Sequence, residues 1–272
     1  MATHSDDDED INPLTFLIGG KEEERVAAAE GKYTNRQQQH HYLSSIDSTV
    51  SIRQLPSEGL SFQLWPAATT LVSLLDRCKQ PNNNPLFPIL TSLSDGHQGR
   101  LRILELGSGT GLVGIAAAAI LGADVTITDL PHVLPNLQFN ADANSSTFAV
   151  HCGTIKTASL RWGESADMES IGREFDLLFA SDVVYHDHLF DPLLKTLQFF
   201  LTGENKLVFL MAHLRRWKKD SVFFKKARKL FNVEMIHTDP PSPGSRIGVA
   251  VYCFQGKLRG GTAAPQTVST IV

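Results

Sequence analysis

The chain has 272 residues, of which 42% are hydrophobic and 20% charged, and its formal net charge is −4. This apolar share excludes a wholly disordered chain, and the length suits one α/β domain or at most two. The longest apolar run, residues 112–123, is shorter than the roughly twenty residues of a membrane-spanning helix, so none is expected. Because residues 6–10 are all acidic and the remainder is nearly neutral, a strongly basic nucleic-acid binder is also excluded.

The three cysteines, Cys78, Cys152 and Cys253, are far apart and form no Cys-x-x-Cys pair. A scattered, odd set predicts neither a disulfide framework nor a zinc site, and it favours a reducing compartment. The N-terminus reads MATHSDDDED, without a basic start or an apolar segment, so no secretory or organellar leader is expected. We therefore expect a cytoplasmic protein, with the nucleus as a second compartment.

The first part of the chain predicts an extension ahead of a folded domain. Residues 1–45 combine an acid run with KEEER and QQQHHY and have little apolar periodicity, so we expect poor order there, with one short helix at 22–30. Residues 46–272 are predicted to form the domain. It is expected to begin with two strands and a helix, at 49–55, 60–64 and 67–78. Residues 81–99, rich in Asn, Pro and Ser, are predicted to be a loop.

From residue 101 onward, short apolar strands alternate with amphipathic helices. Strands are predicted at 102–106, 125–129, 148–152, 175–181, 207–212, 233–238 and 247–254. Helices are predicted at 112–121, 135–142, 189–201 and 218–231. This alternation predicts a Rossmann-like, doubly wound seven-stranded sheet of the α/β class. Residues 239–246 leave no room for a helix, so the last strand is expected to be antiparallel.

The strongest local signal is the glycine loop Gly107-Ser-Gly-Thr-Gly111, which follows an apolar strand and opens a helix. Residues without a Cβ permit a tight turn and a close approach of a ligand to the backbone. Asp129 ends the next strand, 22 residues after Gly107, where a carboxylate can accept both ribose hydroxyls of an adenosine. These features predict an adenosine-containing cofactor at the carboxyl ends of the two strands.

Spacing alone leaves two such cofactors open. Gly109-Thr-Gly-Leu-Val-Gly114 also satisfies GxGxxG, with Asp129 20 residues beyond Gly109, so a nicotinamide dinucleotide is allowed. Glu105 stands just before the loop, where a diphosphate would meet a second negative charge. An antiparallel last strand is also foreign to the six-stranded dinucleotide fold. Both features favour S-adenosylmethionine.

Six segments occur in one order along the chain: LWPAATTL (64–71), LELGSGTGLVGI (104–115), VTITDLP (125–131), NLQFNADAN (136–144), LRWGE (160–164) and FDLLFASDVVY (175–185). Together they resemble the seven-β-strand, class I S-adenosylmethionine-dependent methyltransferases. Within that class they are most similar to the methyltransferase-like group of protein-lysine methyltransferases that act on non-histone proteins. The resemblance covers residues 64–254, whereas residues 1–40 and 81–99 have no counterpart.

The resemblance implies a set of cofactor-binding residues, which are Trp65, Glu105, Gly107, Ser108, Gly109, Asp129, Trp162 and Ser181. Trp65 is expected near the methionine end, where its π face suits a cation. The glycine loop would line the amino-acid and ribose parts, Asp129 would hold the ribose hydroxyls, and Trp162 would contact the adenine. On residue chemistry alone, a purely structural role in the core remains open for both tryptophans.

The resemblance also points to Asp182 and Tyr185 as the catalytic pair, because they match the DxxY motif of the group. They follow a strand whose carboxyl end faces the ligand crevice of an open parallel sheet. Val183 and Val184 stand where nucleic-acid amino-methyltransferases have two prolines. Asp182 is expected to orient the substrate ammonium first and to accept a proton second, and Tyr185 to wall the channel. The alternatives are a helix cap for Asp182 and simple packing for Tyr185.

Two further segments are less informative. Residues 215–229 hold eight bases and one acid, which suits a nucleic acid or an acidic protein face. An apolar helical stripe runs through them, however, and favours a solvated basic face. The run Tyr185-His-Asp-His188 has poor spacing for metal ligands, so no metal is expected.

The sequence thus predicts an S-adenosylmethionine-dependent enzyme that methylates a lysine of another protein. The resemblance implies a chaperone or an elongation factor as the protein substrate. A monomer without nucleic-acid or membrane partners is expected. The alternatives are a small-molecule N- or O-methyltransferase, methylation of another side chain such as histidine, a non-catalytic cofactor-binding scaffold, and a dehydrogenase.

Overall fold

The computed structural model describes residues 38–80, 84–95, 99–202, 207–241 and 247–257. The strands are β1 (Gln38–Leu43), β2 (Ser48–Arg53), β3 (Arg102–Leu106), β4 (Asp124–Asp129), β5 (Thr154–Ser159), β6 (Leu177–Ser181), β7 (Val208–His213), β8 (Phe231–Thr238) and β9 (Ala250–Gly256). The helices are α1 (Pro66–Asp76), α2 (Phe87–Asp95), α3 (Leu112–Leu121), α4 (Leu134–Ala143), α5 (Ser145–Ala149), α6 (Ser165–Ile171), α7 (Phe190–Leu201) and α8 (Asp220–Leu230). Within the described ranges, no helix has the length and apolar character to span a bilayer.

Seven strands form one sheet in the order β5-β4-β3-β6-β7-β9-β8. The strands from β5 to β7 are parallel to their neighbours, and β9 pairs antiparallel with both β7 and β8. This topology confirms the predicted doubly wound α/β sheet with an antiparallel last strand. Because the chain leaves β3 towards β4 on one side and later adds β6 on the other, the sheet has its switch point at β3.

Helices cover both faces of the sheet, which is why its central strands are almost entirely apolar. On one face α1 and α3 pack on residues such as Ile103 and Phe179. On the other, α7 and α8 pack on residues such as Leu104 and Phe209. Helix α3 is apolar all round and buried along nearly its whole length, so the residue at which it begins is fixed firmly in space.

Strands β1 and β2 form an antiparallel hairpin outside the main sheet. Strand β1 lies inside residues 1–45, which the sequence predicts to be a poorly ordered extension. The segment QQHHYL buries only Leu43 completely, so it carries no apolar period by which sequence reasoning detects a strand. Residues 1–37, with the helix predicted at 22–30, lie outside the described residues.

Asn140 of α4 and Asn144, which directly follows this helix, hold the hairpin on the domain. Asn144 accepts a hydrogen bond from the Ser51 amide at 2.8 Å and donates one to the Ser51 carbonyl at 2.8 Å. Asn140 accepts a hydrogen bond from the Arg53 amide at 2.9 Å and donates one to the Arg53 carbonyl at 3.1 Å. Since both asparagines are buried, their amides satisfy an edge of β2 that pairs with no further strand among the described residues.

Three predicted elements are wrong. Residues 60–64 form a 3₁₀ turn, Leu60–Phe62, instead of a strand. The predicted loop 81–99 contains helix α2, which a proline in its first turn and the buried Leu90 support. The predicted strand 148–152 is instead the end of α5 and a turn. The real strand β5 follows it, and its residues are polar and half-buried at the sheet edge, so the apolar run before it gives the stronger strand signal.

Candidate functional site

A cavity of about 620 Å³ opens at the switch point, beside the carboxyl ends of β3, β4 and β6. Its size suits a cofactor-sized ligand. Nine predicted site residues line it, and they are Trp65, Gly107, Ser108, Gly109, Asp129, Trp162, Ser181, Asp182 and Tyr185. The remaining predicted site residue, Glu105, does not line it. The parallel sheet therefore brings together, from five separate segments, almost the whole set that the sequence predicts.

The glycine loop needs its glycines for geometric reasons. Gly107 and Gly109 have φ of 62° and 56°, a left-handed conformation that side chains with a Cβ adopt only at a cost. A Cβ on Gly107 would lie 2.8 Å from the Trp162 ring. Ser108 fixes the loop to β4, because its amide donates to the Thr128 carbonyl at 2.8 Å and its hydroxyl accepts from the Thr128 amide at 3.0 Å.

Asp129 faces the loop from the end of β4. One carboxylate oxygen accepts the Gly109 amide at 2.8 Å and the other accepts the Leu130 amide at 2.7 Å. Burial raises the pKa of this carboxyl, while the two amides and the charge of His132 oppose the rise. Since a carboxylate has about four lone-pair sites, Asp129 retains acceptor capacity on the cavity side for the hydroxyls of a ribose.

Glu105 requires a correction. Its side chain is buried behind the glycine loop, where one oxygen accepts the amide of Gly114 in the first turn of α3 at 3.0 Å. Burial raises the pKa of Glu105 to about 8, so the group is largely neutral at pH 7. It therefore positions the loop and the helix, and it does not line the cavity in which the cofactor is predicted to bind. A neutral Glu105 does not repel a diphosphate. The antiparallel β9 is therefore the feature that disfavours a dinucleotide fold.

Both tryptophans line the cavity. The Trp65 indole N–H donates to the Leu60 carbonyl at 3.0 Å, which fixes the ring in front of α1. The Arg216 guanidinium carbon lies 5.0 Å from the centre of this ring. Trp162 packs against Gly107 and against the apolar residues on the face of the sheet that α7 and α8 cover. Trp162 thus serves both the cavity and the core, whereas Trp65 belongs to the cavity wall.

Asp182 lies directly after β6 with a left-handed backbone, at φ 55°. One oxygen of its carboxylate accepts the Leu214 amide at 2.9 Å, and the other lies 3.0 Å from Nη2 of Arg216. The side chains of Asp182 and Arg216 are only 3% and 7% exposed. Asp182 therefore does not cap the helix that follows it, since its partners belong to the loop after β7.

A second buried acid also holds this loop. Asp220, at the start of α8, accepts the amides of Arg216 and Trp217 at 3.2 and 3.4 Å. His213 lies between the two acids, with Nε2 3.3 Å from the Asp220 carboxylate and Nδ1 3.8 Å from that of Asp182. The loop that carries Arg216 into the cavity is thus fixed at both ends.

Tyr185 lines the cavity beyond Asp182 and is half-buried against His186, with ring centres 4.8 Å apart. Burial, followed by the charge of Asp129, raises the pKa of its hydroxyl above the ordinary value near 10. The phenol is therefore neutral at physiological pH. The predicted role of Tyr185, to wall the channel, stays a prediction.

The basic run 215–229 divides into two parts. Along α8 the phenylalanines Phe223 and Phe224 are buried, whereas Lys225 is exposed and Lys226 pairs with Asp191 at 2.6 Å. This agrees with the solvated face that the sequence favours. Arg216 is different, because it is buried in the cavity. Sequence reasoning missed it, since nothing local separates one arginine of a basic run from its neighbours.

The sheet order, the glycine loop with Asp129, and the DxxY residues at one cavity are those of a class I methyltransferase fold. A family model described as lysine methyltransferase matches residues 45–230, and the chain belongs to this family. It is 41% identical over 137 residues to the protein N-lysine methyltransferase METTL21A of Mus musculus, a match that covers 50% of this chain and 60% of that protein. It is 34% identical over 180 residues to the protein-lysine methyltransferase METTL21E of Bos taurus, covering 65% and 55%.

A third relative is the EEF1A lysine methyltransferase 3 of Xenopus tropicalis, which is 36% identical over 124 residues. That match covers 46% of this chain and 52% of the relative. The chain thus spans between half and two thirds of the length of these three relatives. The matched family region contains every residue that lines the cavity.

Proposed function

We propose that this protein transfers a methyl group from S-adenosylmethionine to a lysine side chain of a non-histone protein. Family membership and the names of the relatives support the reaction class. The observation that carries the proposal is the cavity itself. It holds an acceptor for a ribose, Asp129, and the DxxY pair, Asp182 and Tyr185, in one space.

The residues present fit this cofactor. Asp129 would hold the ribose hydroxyls with its remaining lone pairs, and the backbone from Gly107 to Gly109 would line the amino-acid portion. Trp162 would contact the adenine, and Trp65 would offer a π face to a cation. When bound, S-adenosylmethionine supplies an electrophilic methyl group on a sulphonium.

The chain's own residues must then present a neutral amine in line. A lysine amine has a reference pKa of about 10.4, so it must lose a proton before it reacts. A largely apolar cavity lowers that pKa because it disfavours the charged form. The half-buried Tyr185 walls the approach and excludes water, and Asp182 orients the nitrogen. Alignment contributes most, because charge moves from sulphur to nitrogen without being created.

The protein substrate is proposed to be an abundant cytoplasmic protein. The name of the Xenopus relative specifies the elongation factor EEF1A as the substrate of that relative, and this supports an elongation factor here. A chaperone is the second candidate, by the resemblance of the motifs. Two alternatives are an enzyme of the same fold that methylates a small molecule and a cofactor-binding scaffold without activity. The following experiment distinguishes them.

The test incubates the purified protein with a cell extract and S-adenosylmethionine that carries a labelled methyl group. We expect label in a discrete protein band. The Asp182→Ala variant should lose the band, whereas Asp187→Ala, which changes an exposed acid outside the cavity lining, should keep it. Thermal stabilisation by S-adenosylhomocysteine shows that each variant is folded and binds. Label found only in small molecules would support the small-molecule reaction, and binding without transfer would support the scaffold.

A further inference from the structure

The cavity contains a feature that the proposed reaction does not by itself explain. A site for a sulphonium and a lysine ammonium has to accommodate positive charge, yet the fold buries a guanidinium in its wall. Arg216 lies 3.0 Å from Asp182, and its guanidinium carbon lies 5.0 Å from the Trp65 ring centre. A guanidinium keeps its proton at any physiological pH. Its charge is therefore a permanent part of the site.

The charges around Asp182 come from several elements. The loop after β7 contributes Arg216, β7 contributes His213 at 3.8 Å, and Asp220 of α8 lies behind that imidazole. Lys219, His186, Tyr185, Arg161 and Asp129 also line the cavity. Among these groups, Arg216 makes the direct hydrogen-bonded ion pair with the Asp182 carboxylate. The pair is neutral as a whole.

We propose that Arg216 is a positioning residue that offsets the charge of Asp182, so that the site takes up the target lysine as a neutral amine. This inference rests on the proposed function. A lone buried carboxylate would bind the ammonium form and hold its proton on the nitrogen, which blocks the lone pair that must attack. Beside the neutral pair, the lysine releases its proton to water as it enters. Asp182 still accepts a hydrogen bond from the remaining N–H and so orients the nitrogen.

The pH of the acidic limb of kcat should differ in a fixed order among four charge states of the pair formed by Asp182 and Arg216. Arg216→Met leaves the carboxylate alone and should raise the pH of the acidic limb of kcat by about one unit. Asp182→Asn leaves the guanidinium alone and should lower that pH by a similar amount, with a lower kcat and a higher KM, because its amide oxygen still accepts a hydrogen bond from the amine, which alanine cannot do. The double variant removes both charges and should return the limb close to that of the wild type. Arg216→Lys should restore most of the profile, and Lys225→Met on the exposed face of α8 should not change it.

An NMR binding measurement determines the pH at which the bound lysine amine loses its proton, without turnover. The purified recipient protein from the labelling experiment is prepared with ¹³C at the lysine Cε and bound in the presence of S-adenosylhomocysteine. Its chemical shift reports the charge of the bound amine as pH changes. We expect the midpoints to follow the same order, lowest for Asp182→Asn and highest for Arg216→Met.

The variants distinguish a positioning role for Arg216 from a purely structural one. Should all variants lose rate while their limbs and midpoints stay at the wild-type pH, Arg216 is structural only and the inference is wrong. The double variant keeps this test valid even where a single variant leaves an unpaired buried charge and unfolds, because it removes both charges. A wild-type protein that labels no protein would overturn the proposed function, and this inference with it.

Discussion

The carboxylate of Asp129 bonds the amide of Gly109 at 2.8 Å, and this contact joins the glycine loop to the end of the neighbouring strand. The loop has a left-handed glycine at this point, so its amide can turn towards β4. The same carboxylate lines the cavity. One side chain thus shapes the loop and supplies the acceptor for the ligand, and this dual role makes it the first target for mutation.

The Asp129→Asn variant should bind S-adenosylhomocysteine on the order of 10- to 100-fold more weakly, because a charged acceptor for two hydroxyls is replaced by a neutral one. Isothermal titration calorimetry measures the change. The matched control is Asp124→Asn at the other end of the same strand, where the side chain pairs with Arg100 at the surface. Equal affinities for the two variants would show that Asp129 holds no part of the ligand.

The stability of the protein should respond to pH through Glu105. Its pKa is about 8 in the folded protein and 4.5 in the reference state, so the folded state holds this proton more tightly. Stability from this group is complete at low pH and declines as pH rises towards 8, by up to about 1.4 kcal/mol per pH unit. Glu105→Gln keeps an acceptor for the Gly114 amide and has no such dependence.

The comparison of the two proteins isolates that effect. The free energy of unfolding is measured with denaturant at about pH 5.5 and about pH 8.5. Relative to the wild type, the value for Glu105→Gln should be higher at the higher pH. A difference in unfolding free energy that stays constant across this range would mean that Glu105 is not a buried, neutral acid.

Tyr185 should act through its ring more than through its hydroxyl. Tyr185→Phe keeps the half-buried wall and should retain most of the activity. Tyr185→Ala opens the wall to water and loosens the alignment of the amine, so kcat/KM should fall by on the order of tenfold or more. Steady-state kinetics on the recipient protein measures both. If the phenylalanine variant were as impaired as the alanine variant, the hydroxyl would have a role that the wall does not describe.

The hairpin should depend on the asparagines in and directly after α4. Asn144→Ala leaves the Ser51 amide and carbonyl without their partners, which should lower the free energy of unfolding by about 2 kcal/mol. Gln138→Ala on the exposed face of the same helix should change it by less than about 0.5 kcal/mol. Denaturant unfolding separates the two, and similar values would show that the hairpin is held by other contacts.

Much of the fold was predictable because its signals are local. The strand β3 and the helix α3 have the predicted bounds, since an apolar run followed by glycines marks both the end of one and the start of the other. The strand β5 was not predictable in the same way. It is a polar edge strand, and its place is decided by pairing with β4 instead of by its own residues.

The same distinction applies to the site. Residues that belong to short motifs, such as Asp129 and Asp182, were predictable and do line the cavity. The positions of Glu105 and Arg216 were not predictable. The burial of Glu105 and the pairing of Arg216 with Asp182 depend on how elements distant in sequence pack. The predicted monomer and cytoplasmic location stay predictions, as does the division of the chain into an extension, 1–45, and a domain, 46–272.

The identity of the modified residue tests the central claim most directly. The recipient protein, labelled with the methyl group of S-adenosylmethionine, is hydrolysed to amino acids and analysed by chromatography with mass spectrometry. The account predicts that the label is recovered in ε-N-methylated lysine and is absent from the reaction with Asp182→Ala. Recovery of the label in methylhistidine, in methylarginine or in a base-labile ester would contradict it.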